Sequence, residues 1–339
     1  MNSLGWLSLA GSFAAILLVA IVFTNAVEWL GRVYGLSAGV VGSVFAAVGT
    51  ALPEVSVAAV GILWNGGVQG AHAHDVGVGA ILGAPFMLST LTLSLVGASA
   101  LAMRGGAGRM NVDGRVIGRD IAFFLPAYAI ALGLAFVPWR WPHAAGALAL
   151  VVSYACYVRA HARDRHVAAH AEEPLAPLYF RFGRATPTRG LVIAQLAIAT
   201  LGMVGCALWF VGAVNGVATQ LGASPLLVSL LVAPLATELP EKFNSIIWVK
   251  QRKDTLALAN VTGALVFQAT WPVALGLLFT DWSLDTAGSA GILSAFIAIA
   301  SAATIFGLAL WRRTLTAHML LLGAVGYGVY LSIALRTQH

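Results

Sequence analysis

The sequence predicts an all-α membrane protein in which ten transmembrane helices form two inverted five-helix repeats. Three observations predict it. Of 339 residues, 59% are hydrophobic and only 9% charged, where ordinary soluble domains are roughly a quarter charged. Apolar runs of about 20 residues, enough to cross a bilayer, recur along the chain. A proline–glutamate motif, Thr50-Ala51-Leu52-Pro53-Glu54, returns 187 residues later as Thr237-Glu238-Leu239-Pro240-Glu241. The composition excludes a soluble globular protein, a disordered chain and a nucleic-acid partner. The net charge of +6 has a topological explanation, since cytoplasmic loops of membrane proteins are rich in Lys and Arg. Cys156 and Cys206 both sit inside apolar runs, so neither a disulfide framework nor a cysteine metal site is expected.

Reading hydropathy against polar loops places the ten spans near 4–28, 36–64, 76–101, 119–138, 142–159, 190–214, 223–249, 255–280, 287–310 and 314–335. The first lacks the basic start of a signal peptide, because Met1-Asn2-Ser3 carries no Lys or Arg. Loops after odd-numbered spans hold sixteen of the nineteen basic residues, from Arg32 through Arg104, Arg109, Arg163 and Lys250 to Arg312 and Arg313. The opposite side holds Arg140 and Arg336, and Lys242 lies within a span. That bias places the odd loops in the cytoplasm and both termini outside, in the plasma (inner) membrane.

The longest loop, 161–189, contains Pro174, Pro177 and Pro187. It separates a first five-helix repeat, 1–160, from a second, 190–339. An odd number of spans in each half makes equivalent spans cross in opposite directions, which is the topology of inverted-repeat transporters. The repeat extends into the following spans, where Gly79-Ala80-Ile81-Leu82-Gly83-Ala84 matches Ala259-Asn260-Val261-Thr262-Gly263-Ala264.

Glu54 and Glu241 lie about 17 to 19 residues into their spans, close to the bilayer centre at 1.5 Å rise per residue. A carboxylate there costs roughly 2.5–3.5 kcal/mol on insertion scales, so it should face protein, water or an ion. Pro53 cannot donate to the carbonyl of Gly49, nor Pro240 to that of Ala236, so each helix should open beside its glutamate and free an oxygen. With the hydroxyls of Thr50 and Thr237, the oxygens that a hard cation needs are present.

These residues resemble the cation/calcium exchanger superfamily, the sodium/calcium exchangers and their relatives, whose two alpha repeats carry a Gly-Thr-Ser-x-Pro-Glu type motif. Here it reads Gly49-Thr50-Ala51-Leu52-Pro53-Glu54. The resemblance covers about 130 residues. It implies a secondary active antiporter that moves Ca²⁺ or a similar divalent cation against H⁺ or Na⁺ by alternating access, with no cofactor and no chemical reaction. Glu54 and Glu241 are the implied principal ligands, supported by Thr50 and Thr237 and completed by spans 3 and 8. Those spans depart from the family: the polar positions hold Ala80, Ala84, Pro85 and Leu88 in the first copy, and Asn260, Ala264, Leu265 and Gln268 in the second. Ala51 likewise replaces the motif serine. Such losses argue against ordinary sodium coupling. Glu238 adds a third carboxylate, favouring proton coupling. Lys242 either faces Glu238 across one helical turn or snorkels toward the cytoplasmic interface near Trp248.

Weaker features have bland alternatives beside the functional ones. Asn25 and Glu28 extend an inner ion pathway, or Glu28 forms an interfacial pair with Arg32. His72, His74 and Asp75 bind a metal or form a solvated outside loop. His161, His166 and His170 sense metal or pH, or belong to an ordinary charged central loop. Trp64, Trp139, Trp141 and Trp282 read as interfacial anchors. Two other functions compete with transport: an intramembrane enzyme using buried carboxylates, which lacks a His-Glu-x-x-His zinc helix, and a non-transporting sensor or scaffold, which the lost polar positions favour.

Overall fold

The computed structural model describes residues 3–33, 47–63, 73–104, 108–162, 176–181 and 187–336, and these are almost entirely helical. In chain order the α-helices are α1 (Ser3–Val33), α2 (Ala47–Leu63), α3 (Ala73–Met87), α4 (Leu93–Arg104), α5 (Gly114–Leu134), α6 (Arg140–Ala162), α7 (Arg189–Leu221), α8 (Pro225–Thr237), α9 (Leu239–Lys250), α10 (Asp254–Gln268), α11 (Trp271–Phe279), α12 (Leu284–Arg312), α13 (Ala317–Leu320) and α14 (Leu322–Arg336). A π-helical turn, Leu88–Thr92, joins α3 to α4.

Among the described residues eight stretches are long and apolar enough to cross a membrane, and Pro53–Leu63 and Pro225–Leu235 are shorter apolar helices. Helices suit this environment because each satisfies its own backbone hydrogen bonds where water is absent. The protein is an integral membrane protein. Two stretches lie at its centre: Ala73–Arg104 and Asp254–Phe279 have 94% and 83% of their most apolar windows enclosed, against 28% to 44% for the other six. The outer stretches expose Leu18, Leu148, Leu201 and Leu310, as lipid-facing helices do.

The centre is built on glycine. A side chain on Gly79 would collide with the Leu226 carbonyl, and one on Gly83 with the Leu230 carbonyl, so the backbones of α3 and α8 touch. Between bilayer helices such small-xxx-small contacts supply the packing that no hydrophobic force can. Ser229 in α8 also donates to the carbonyl of Val76 in α3 at 2.7 Å. Around this pair, α1 packs along α7 and α2 against α3 and α7.

Several expectations change. α5 begins at Gly114, so Arg115 and Arg119 are helical rather than in the loop, and α7 runs to Leu221, seven residues beyond the expected end. His74 and Asp75 sit in the first turn of α3 rather than in a loop; His72 lies outside the described residues. His161 belongs to α6, not to the central loop, and His166 and His170 lie outside the described residues, as does Trp64. Trp139 and Trp141 are exposed. Trp282 is not an interfacial anchor: it is buried, its indole donates to the Ala131 carbonyl at 2.9 Å, and its ring fills the space that Gly276 leaves open. Arg104 is no free loop charge either. It makes two bonds to Asp254, one at 2.8 Å, and one to the Val249 carbonyl, tying the end of α4 to the α9–α10 turn.

Candidate cation site

α2 passes through Pro53 without interruption, so the expected opening of this helix does not appear as a break. Glu54, the next residue, is 3% exposed, and among the described residues neither carboxylate oxygen has a hydrogen-bond partner. Gly49 and Thr50 lie in its first turn; their side-chain positions, with that of Ala236, are outside what the structure describes.

The second copy of the motif is broken. α8 ends at Thr237, α9 begins at Leu239, and Glu238 between them has φ −84° and ψ 8°. Pro240 then falls in the first turn of α9, where its missing N–H has no helical acceptor to lose. Glu241 is the acidic residue of that turn, placed where unsatisfied N–H groups and the helix dipole favour negative charge. Glu241 and Glu238 are both essentially buried, and Glu54 stands within electrostatic reach of both.

Glu238 is held from two sides. Its Oε2 accepts from the Thr92 hydroxyl at 3.0 Å and from the Lys242 ammonium at 3.0 Å; its Oε1 is buried with no donor among the described residues. Lys242 also donates to the Pro234 carbonyl at 3.2 Å. It therefore faces Glu238 and does not snorkel. Thr237 faces Glu54, with its own proton on the Ala233 carbonyl at 2.8 Å. Asn260 in α10 donates to the Glu241 carbonyl at 3.1 Å and to Ser245 at 3.2 Å. Gln268 closes α10, buried, with its amide oxygen unbonded. Among the described residues no three His, Cys, Asp or Glu side chains close on one point tightly enough to hold a metal alone. A cation here would need hydroxyl, amide and carbonyl oxygens as well.

Those oxygens are richer than the sequence indicated. The π turn, which begins three residues after Pro85, adds one residue to the helical register, and such turns recur at functional sites. It buries Ser89, Thr90 and Thr92, of which Ser89 and Thr90 return their protons to carbonyls of the preceding turn. The signal was the run Leu88-Ser89-Thr90-Leu91-Thr92, one residue out of step with the expected polar positions. With Glu54, Glu238 and Glu241 ionised and Lys242 protonated, the site carries a net charge of two negatives, matching one divalent cation or two protons.

The family described as sodium/calcium exchanger protein matches residues 4–161 and 191–336, nearly the whole chain. The chain belongs to this family. A curated relative from Alkalimonas amylolytica, "Putative antiporter CaxA", is 26% identical over 269 residues, covering 79% of this chain and 78% of its own. The crystal structure of an H⁺/Ca²⁺ exchanger, CAX, superposes with a TM-score of 0.73 at 18% identity, covering 98% of this chain and 87% of its own. A structure of the sodium–calcium exchanger NCX_Mj soaked with Na⁺ and Sr²⁺ gives 0.60 at 19%, covering 98% and 99%. The fold is that of these exchangers.

This exchanger holds a second buried polar cluster that sequence reasoning missed. Asp120 in α5 is fully buried. It accepts from Tyr157 at 3.2 Å and contacts His161 at 3.0 Å, both in α6, and takes the Thr262 hydroxyl of α10 at 2.5 Å. The sequence around it, Gly118-Arg119-Asp120, resembles a loop edge and hid it. Asn25 is likewise structural: it donates to the Ala176 carbonyl and accepts from Gln195 and the Tyr179 amide. The side chain of Glu28 lies outside the described residues, and Arg32 lies over the Trp29 ring.

Proposed function

We propose that this exchanger is a secondary active antiporter that moves Ca²⁺, or a similar divalent cation, against protons by alternating access. The reading takes ten membrane crossings, a first repeat over 1–160 and an inverted second repeat over 190–339. Membership of the family supports antiport of a cation. One observation carries the rest: Glu54 is buried beside Glu241 and Glu238, and among the described residues neither of its oxygens is hydrogen-bonded. A carboxylate in that condition within a bilayer is tolerated where an ion or a proton neutralises it.

In this reading Glu54 and Glu241 bind the divalent cation directly, with Thr50, Thr237 and the carbonyls of Gly49 and Ala236 as neutral donors. Glu238, Asn260 and Gln268 border the site. Ala51, Ala84, Leu88 and Ala264 remove side-chain oxygens from positions that sodium uses in relatives, and the net charge of two negatives fits an exchange of one Ca²⁺ for two H⁺. The central loop lies in the cytoplasm and both termini outside, in the plasma membrane.

The test is ⁴⁵Ca²⁺ uptake into proteoliposomes of the purified chain under separate H⁺ and Na⁺ gradients. Uptake driven by the proton gradient is expected, with little response to Na⁺ at fixed pH. Uptake driven only by Na⁺ refutes proton coupling, and no uptake under either gradient refutes the antiporter.

A further inference from the structure

We propose that Lys242 is a resident monovalent cation of the transport site: its ammonium, tethered to the helix, occupies a place that a free alkali ion would otherwise take. The inference rests on the site described above being the transport site. Its basis is the direction and company of one side chain. From α9 it turns back over the break at Glu238 and reaches Pro234, eight residues earlier, rather than running toward the exposed Lys250 at the far end of the helix. At its tip it meets a carboxylate oxygen of Glu238 at 3.0 Å and the Pro234 carbonyl at 3.2 Å. Thr92 brings a hydroxyl to the same carboxylate oxygen. A carboxylate, a carbonyl and a nearby hydroxyl are the oxygen types that bind alkali cations.

The surroundings argue against simple packing. Burying an ammonium and a carboxylate together carries a large desolvation cost before their attraction is counted, and well-packed apolar residues of similar volume are often as stable. Glu238 also keeps one buried oxygen, Oε1, that no donor among the described residues reaches, so Lys242 leaves ligand capacity at this point unfilled. Three carboxylates with one ammonium retain a charge that one divalent ion balances; without the ammonium a further monovalent ion is needed. Lys242 thereby excludes alkali ions from the cycle by already being one.

The experiment uses detergent-purified full-length protein, with ²²Na⁺ and ⁸⁶Rb⁺ binding and thermal melting in NaCl, RbCl or N-methylglucamine chloride. Wild type and K242R should bind neither ion saturably and melt alike in all three salts. K242M and K242Q should gain near-stoichiometric binding of one alkali ion and be stabilised by that ion's chloride alone. E238Q/K242M, which removes both charges, should lose that binding again. Saturable alkali binding by wild type overturns the proposal, as does folded K242M that binds no alkali ion. Failure of both K242M and K242Q to fold in every salt also overturns it, because a vacated alkali site should be rescued by its ion. Wild type that moves no Ca²⁺ would refute the antiporter reading instead; alkali binding gained by K242M would still support the tethered cation.

Discussion

At the scale of single residues the site is a problem of compensation. Glu54 has no donor on either oxygen among the described residues, while Glu238 shares one oxygen between Thr92 and Lys242. The two should therefore respond differently to neutralisation. E54Q removes a charge that, in the proposed function, the transported ion neutralises, at nearly constant volume, and ⁴⁵Ca²⁺ uptake should fall to background while the protein elutes from a sizing column as before. Normal uptake by E54Q would make that carboxylate structural. T92V should act on Glu238 alone, removing a hydrogen bond to a charged group of about 1.5–3 kcal/mol. Lower thermal stability with transport retained is expected, and an unchanged melting temperature would contradict the bond. The recurring glutamates were legible because a bilayer makes carboxylates rare and duplication made these two conspicuous. Thr92 was not, because a π turn carries its polar run one residue out of step with the positions that the repeat marks.

At the scale of elements the decisive features are close approaches and buried ties. Gly83 in α3 lies against the Leu230 carbonyl and Pro234 of α8, immediately before the broken motif. G83V would have to separate the two backbones, an overpacking cost of typically about 1–3 kcal/mol. Because α8 carries Glu238 at its end, transport should fall along with stability, and G83V with wild-type uptake would show the contact to be dispensable. Asp120 joins α5, α6 and α10 through Tyr157, His161 and Thr262. D120A leaves those partners without their acceptor, and each buried donor left unsatisfied costs about 1–3 kcal/mol. The expected result is a melting temperature lowered more than by T92V, with Ca²⁺ transport persisting in the fraction that folds. Hydropathy located most helices through their apolar runs. It placed the start of α5 at 119 rather than Gly114 because Arg115 is polar in sequence but helical in the structure; Asp120, inside the expected span, is wholly buried.

The whole molecule turns on orientation. Two enclosed stretches, Ala73–Arg104 and Asp254–Phe279, lie inside a ring of lipid-facing helices, and the membership of the chain in an exchanger family agrees with a helical membrane protein legible from composition alone. The proposed orientation rests on charge: cytoplasmic loops carry the Lys and Arg excess, and on that rule the sixteen basic residues after odd-numbered spans would put Glu172 and its loop inside and both termini outside. Arg104 is bound to Asp254 in the structure, which removes one free charge from the count and leaves the bias intact. Cysteine labelling decides the matter. With Cys156 and Cys206 replaced, a cysteine at Glu172 should react with an impermeant maleimide only after the cells are opened, and one at Ser3 should react in intact cells. Labelling of both in intact cells would put loop and terminus on one side, which an odd number of crossings in the first half forbids, and the inverted repeat would fall with it. Labelling of the loop alone in intact cells would keep the odd number but reverse the protein, placing Lys250 and the end of α9 outside.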